Sequence, residues 1–431
     1  MLKKILRHPL FWLMVICAFG QLLYYWNAPL YVVGGDTISY TLEYDHAFRT
    51  PVYPYFAKIV ALFSGREQDA WFAAIAIAQR VIFFASVPLF YALAKHLAKN
   101  KTAINIATLL YGLSPALLSW NILPLTESIS IVETVALLFF TVRYLREHRK
   151  SDALLSGVVV LVMVMTRPAA IYLLAVWVLF WAAQVIIAKR RRLSKKRMAA
   201  IKSGLIGATI ALGGVFAYAC INWAYYGHFG ISTVSYINKL LTIVDSGLYQ
   251  KSDNAEIRDH IQAVSDEGME IYDIVWHELY VKYPYDELNA FVNDVVSQNR
   301  GEYIGIMAKK VLDWGVRPLA DSYVPSTKVE VDSAQLAATL FPVSFGVVYV
   351  VIIGGCVWLG VRMVRAKKLD WAVLVFVMIM GGNVAVTILA APYEPARLCV
   401  TSIPVLIAGA TYVMGDARNL ESSIRAKKAK H

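Results

Sequence analysis

Apolar residues fall along this chain in blocks parted by short charged or polar punctuation, most blocks being about 18 to 25 residues long. That is the length an α-helix needs to cross ~30 Å of hydrocarbon. The blocks predict spans at 9–27, 71–94, 102–121, 127–145, 153–166, 168–188, 201–222, 335–361, 370–391 and 398–415. The pattern breaks briefly over 28–70 and at length over 223–334. The fold expected is an all-α integral membrane protein of about ten transmembrane helices. The first block, Pro9 to Trp26, follows a basic start as a signal peptide would. It is too long for one and no small-residue cleavage site follows, so it reads as the first span.

Composition agrees, with 58% hydrophobic and 17% charged residues, against about 25% charged in a soluble chain. Charge then orients the spans. With the N-terminus cytoplasmic, the segments on that side gather 27 of the 42 Lys and Arg but 5 of the 30 acidic residues. An excess of Lys and Arg in cytoplasmic turns is the usual topogenic signal. It predicts a multi-pass protein with both termini cytoplasmic, and outward segments 28–70 and 223–334. The run Lys189–Arg197 reads as such a turn lying on anionic lipid, not as a nucleic-acid site. None of the four cysteines shows metal-ligand spacing.

This gives four regions. Residues 1–222 form a transmembrane module of seven helices that includes the first outward loop, and 223–334 a small, mainly helical extracytoplasmic cap. Residues 335–415 supply three more spans, and 416–431 a basic tail. In the cap, Asp286–Arg300 places Leu288, Phe291, Val292, Val295 and Val296 on one stripe, and Glu302–Val316 repeats the pattern with Ile304, Ile306, Met307, Val311, Leu312 and Trp314. The modest apolar content predicts a cap that leans on the bundle.

Candidate chemistry gathers at the outward helix ends. Gly34 and Gly35 permit a tight turn that holds Asp36 at the membrane surface. A surface helix from there to Phe48 would put Asp36 and Tyr40 on one face; a helix N-cap is the plainer role for Asp36. Arg49 and Tyr53 belong to an extended turn, RTPVYP, before the chain re-enters the membrane. Glu127 opens the fourth span, Arg167 sits at the turn between the fifth and sixth, and Glu394 and Arg397 precede the tenth. Arg80 and Glu133 lie within spans, where an ionisable residue is a functional candidate by default. Arg80 is expected either to pair with Glu133 or to reach an anionic headgroup. Glu43, Asp45 and His46 cluster too locally to converge on one ion, so no metal or other cofactor is expected, and a divalent cation is compatible but unsupported.

An acid near several arginines, at the outer ends of membrane helices, suits an inverting sugar transfer. A carboxylate takes the proton of the incoming hydroxyl and arginines stabilise a departing phosphate. Here the chain resembles the GT-C class of membrane glycosyltransferases, nearest the bacterial protein mannosyltransferases and lipid A aminoarabinose transferases. The resemblance rests on GDTISY (35–40), RTPVYPYF (49–56), LLYGLSPALLSWNILPLTESIS (109–130), MTRPAAIYLL (165–174), NWAYYGHFGIS (222–232) and YEPARLCVTSIPVL (393–406). It implies a polyprenyl-phosphate sugar donor, a glycan, lipid or protein acceptor, and a bacterial inner-membrane enzyme with an extracytoplasmic site. It further implies that Asp36 is the base, that Glu127 shapes the sugar or acceptor pocket, and that Arg167 and Arg397 lie near the donor phosphate. Tyr40, Arg49, Tyr53, Arg80 and Glu394 complete the set of substrate-binding candidates. Many relatives carry a second acid directly after the first; here Thr37 follows. Two other readings stand beside it: a polymerase or ligase using a lipid-diphosphate donor, and a transporter or flippase for a lipid-linked saccharide, which Arg80 and Glu133 alone favour.

Overall fold

The structure is a computed structural model. It describes residues 6–315 apart from 27, 34–35, 43, 45–47 and 191–192, together with 370–390, 400–414 and five isolated positions between 354 and 361. The expected span 335–361 lies almost wholly outside the described residues, as do the tail, Glu394 and Arg397. Everything described is helix, turn or loop.

Among the described residues, five helices are long and apolar enough to cross a membrane: Pro9–Trp26, Gln68–Leu97, Thr126–Glu147, Pro168–Arg190 and Lys195–Tyr226. Each coincides with a predicted block. The block at 102–121 is instead a broken pair, Lys101–Gly112 and Pro115–Ile122, bent by 41°. Proline at the first turn of the second piece can start a helix but cannot continue one. Lys150–Thr166 is a shorter helix of 17 residues, and Trp371–Ala390 and Val400–Met414 cover the last two blocks. The extended re-entry expected after Arg49 is a helix, Val52–Ser64. Pro51 and Pro54 fall in or beside its first turn, where missing N–H groups cost nothing.

Helix ends follow their sequence signals. The Glu67 carboxylate accepts from the Ala70 N–H at 2.9 Å and opens Gln68–Leu97, which closes on Lys95 and His96, so both ends complement the helix dipole. Between Lys150–Thr166 and Lys195–Tyr226 the backbones touch. A methyl group on Gly157 would run into the backbone of Gly207, and one on Gly207 would lie 2.7 Å from the Leu154 carbonyl oxygen. Small residues permitting such approach are the usual means of packing helices where lipid offers no hydrophobic drive.

A second apolar core lies apart from the bundle. It gathers Tyr236, Leu240 and Ile243 with Ile257, Ile261, Leu279, Leu288 and Phe291, so the cap has an interior of its own and does not merely lean on the bundle. The stripe predicted on Asp286–Arg300 is buried at Leu288, Phe291, Val292 and Val295. On the following helix Met307 is buried, while Ile304 is 60% exposed and turns away from the core. One residue of this core comes from far off in sequence. Phe48, from the first loop, packs edge-on against Trp276 at 5.3 Å. The Ser232 hydroxyl donates to the Phe48 carbonyl at 2.6 Å. First loop and cap are therefore clamped together beside the membrane helices.

Candidate active site

The helix expected from Asp36 to Phe48 ends after one turn, Thr37–Tyr40. The Thr41 hydroxyl folds back to the Thr37 carbonyl at 2.7 Å, a local bond that competes with further helix. Asp36 stands at the N-cap position, yet its side chain makes no cap bond. It is engaged by Arg49 instead, through Nη2 to Oδ1.

Arg49 fixes the loop with all three guanidinium nitrogens. Nε donates to Ser39 Oγ at 3.0 Å and Nη1 to the Tyr40 hydroxyl at 3.2 Å, while Ser39 Oγ donates to the Asp36 carbonyl at 2.8 Å. Its Cζ lies 4.2 Å from the Phe48 ring centroid and 4.4 Å from that of Tyr40. The planar fork and the stacking are both properties a lysine lacks. The arginine side chain is 5% exposed and that of Asp36 29%, so a buried cation orients a carboxylate that substrate can reach.

Tyr40 packs edge-on against Tyr53 at 5.4 Å, and the Tyr53 hydroxyl donates to Gln79 Oε1 at 2.6 Å. Gln79 Nε2 donates in turn to the Leu123 carbonyl at 2.8 Å. The loop is thus pinned to the Gln68–Leu97 helix and to the turn before Thr126–Glu147. At the head of that helix lies a second pair, Arg167 Nη2 and Glu127 Oε1, 3.1 Å apart and nearly inaccessible. The Thr126 hydroxyl donates to Glu127 Oε2 at 3.3 Å. Glu127 acts electrostatically on Tyr53, so the second pair lies in the neighbourhood of the first loop's aromatic residues.

The structure brings together Asp36, Tyr40, Arg49 and Tyr53, and separately Glu127 with Arg167. Arg80 does not pair with Glu133. It donates to the carbonyls of Pro29 and Leu30 and stacks over Tyr25 at 4.3 Å. Glu133 accepts from the Thr166 hydroxyl. Similar depth in two spans does not make their side chains face one another. Gln79 was missed, although a polar residue inside an apolar helix, one place before Arg80, was a visible signal. Among the described residues no group of three or more His, Cys, Asp or Glu side chains is gathered; Glu43, Asp45 and His46 lie outside them.

Residues 45–215 match the model of the dolichyl-phosphate-mannose-protein mannosyltransferase family. Over that stretch the chain is similar to this family. No curated protein matches the sequence. Among solved structures, the oligosaccharyltransferase of Archaeoglobus fulgidus in complex with Zn and sulfate is 15% identical, with 97% of this chain and 51% of that one covered at a TM-score of 0.49. The same organism's AglB with an inhibitory peptide and dolichol-phosphate is 15% identical, covering 96% and 51% at 0.47. This chain spans about half the length of those structures.

The family match covers less than half of the chain. It takes in Arg49, Tyr53, Gln79, Glu127 and Arg167, but begins after Asp36 and Tyr40 and ends before the cap. The acid and the residue that aims it thus fall on opposite sides of its boundary.

Proposed function

We propose that this protein is a membrane glycosyltransferase of the GT-C class, which moves a sugar from a polyprenyl-phosphate donor to a glycan, lipid or protein acceptor of the cell envelope, with inversion, on the extracytoplasmic face of a bacterial inner membrane. The observation that carries the reading is the carboxylate of Asp36, half-exposed at a helix end and oriented by buried Arg49. The matched family's description, which names dolichyl-phosphate-mannose, supports a lipid-phosphate donor. The charge partition of the sequence supports the orientation.

In this reading Asp36 takes the proton from the acceptor hydroxyl as its oxygen attacks the anomeric carbon. The bond from that carbon to the phosphate oxygen breaks on the opposite face, and polyprenyl phosphate leaves with the electron pair. Arg49 holds the carboxylate toward the acceptor. Arg167, kept in place by Glu127, and Arg397 lie toward the donor phosphate, where a guanidinium stabilises growing charge. Tyr40 and Tyr53, packed against each other beside Arg49, are the aromatic side chains offered to the substrates. The reaction as written calls on no cofactor.

Purified protein incubated with β-linked polyprenyl-phosphate mannose and an envelope fraction should release polyprenyl phosphate and give an α-linked product, read by NMR of the anomeric proton. A β-linked product would remove the single-displacement mechanism and with it the role of Asp36.

A further inference from the structure

The cap carries a hollow that the transfer chemistry leaves unused. It encloses about 440 Å³ and is lined by Tyr236, Tyr280, Tyr283 and Tyr285, with Lys282 and Pro284. That volume falls in the ~300–1,000 Å³ range of small-ligand sites. Tyr280 is 39% exposed and Tyr285 half-buried, so aromatic surface is available to a ligand. Tyr236 and Tyr283 are 3% and 6% exposed, yet neither hydroxyl has a hydrogen-bond partner. Buried hydroxyls are normally satisfied.

Two further observations bear on what the hollow takes. Its one cation is already engaged, Lys282 Nζ lying 2.6 Å from His260 Nδ1 and 5.1 Å from the centroid of the Tyr283 ring, which favours a neutral ligand over an anion. The chain reaches the hollow through a π-helical turn, Ile274–Leu279, a rare conformation that recurs at functional sites. From there a packed run leads to the catalytic loop. Tyr280 meets Trp276 at 5.5 Å, Trp276 meets Phe48 at 5.3 Å, and Phe48 lies under the guanidinium of Arg49.

We infer that this hollow binds a neutral oligosaccharide, the part of a glycan acceptor that lies beyond the reacting hydroxyl; the word acceptor rests on the transfer proposed above. Sugar rings present apolar C–H faces that stack on tyrosine, and hydroxyls that both donate and accept, as the phenol does. The run through Trp276 and Phe48 sets the seated glycan at a fixed relation to Asp36.

The test uses the full chain in lipid nanodiscs, titrated with mannotriose, galactotriose and maltotriose and then with an array of neutral glycans, by calorimetry and saturation-transfer NMR. At least one glycan should bind. Affinity should fall at least tenfold in Tyr280→Ala, recover in Tyr280→Trp, and persist in Asp36→Asn. Absence of binding across the array, equal binding by Tyr280→Ala, or preference for a proline-rich peptide would each overturn the inference. Wild-type protein that binds a glycan but neither binds nor consumes polyprenyl-phosphate mannose would support the hollow and remove the transfer reading.

Discussion

In the proposed transfer the carboxylate that takes the proton must be reachable and must be aimed, and the two tasks would fall to different residues. Asp36 is reachable; Arg49 aims it through a fork that also binds Ser39 and Tyr40. Arg49→Lys keeps the charge but not the fork, and should lower kcat roughly tenfold or more by loosening the carboxylate. Donor affinity should stay near wild type, and an unchanged kcat would show that the fork does not matter. Tyr53→Phe should leave buried Gln79 Oε1 without its donor, costing about 1–3 kcal/mol and lowering the melting temperature. Arg49 read only as part of an extended turn, while the closeness of Asp36 and Tyr40 was legible because they are near in sequence. The Tyr53–Gln79 bond and the true partners of Arg80 were not, since composition gives the depth of a residue in a span but not the direction its side chain faces.

At the scale of elements, the apolar blocks marked the described spans because length and hydropathy alone decide whether a helix can cross. They were blind to the break at Leu113-Ser114, where the residues remain apolar enough and only Pro115 betrays the bend. The first-loop helix was overextended for a similar reason: its residues are compatible with helix, but the Thr41 hydroxyl and the pull of Arg49 end it at Tyr40. Contact between the Lys150–Thr166 and Lys195–Tyr226 helices depends on Gly157 and Gly207. Gly157→Val should force them apart at a cost of about 1–3 kcal/mol or more and reduce the yield of folded protein in detergent. Gly213→Ala, on the same Lys195–Tyr226 helix with open space around it, should be neutral. Equal loss from both would show that the close approach is not what matters.

At the scale of the whole molecule, the first loop, which carries Asp36, is one of the links between the membrane bundle and the cap. Phe48 in the cap's core and Arg49 on Asp36 are neighbours in the chain, so any movement of the cap reaches the carboxylate within one residue. Modest apolar content hid the cap's separate interior, because its core is completed by Phe48 from nearly two hundred residues away. The proposed orientation is tested with single cysteines at exposed Asp273 and Arg149. In intact cells a membrane-impermeant maleimide should label Asp273→Cys and spare Arg149→Cys until the membrane is opened; the reverse would turn the protein over. The decisive measurement for Asp36 is transfer from polyprenyl-phosphate mannose by Asp36→Asn beside its donor affinity. Turnover should be at least a thousandfold lower, on the order of what a lost catalytic base removes, with donor binding within a few-fold of wild type. An asparagine variant that turns over at the wild-type rate would contradict the assignment of Asp36 as the base.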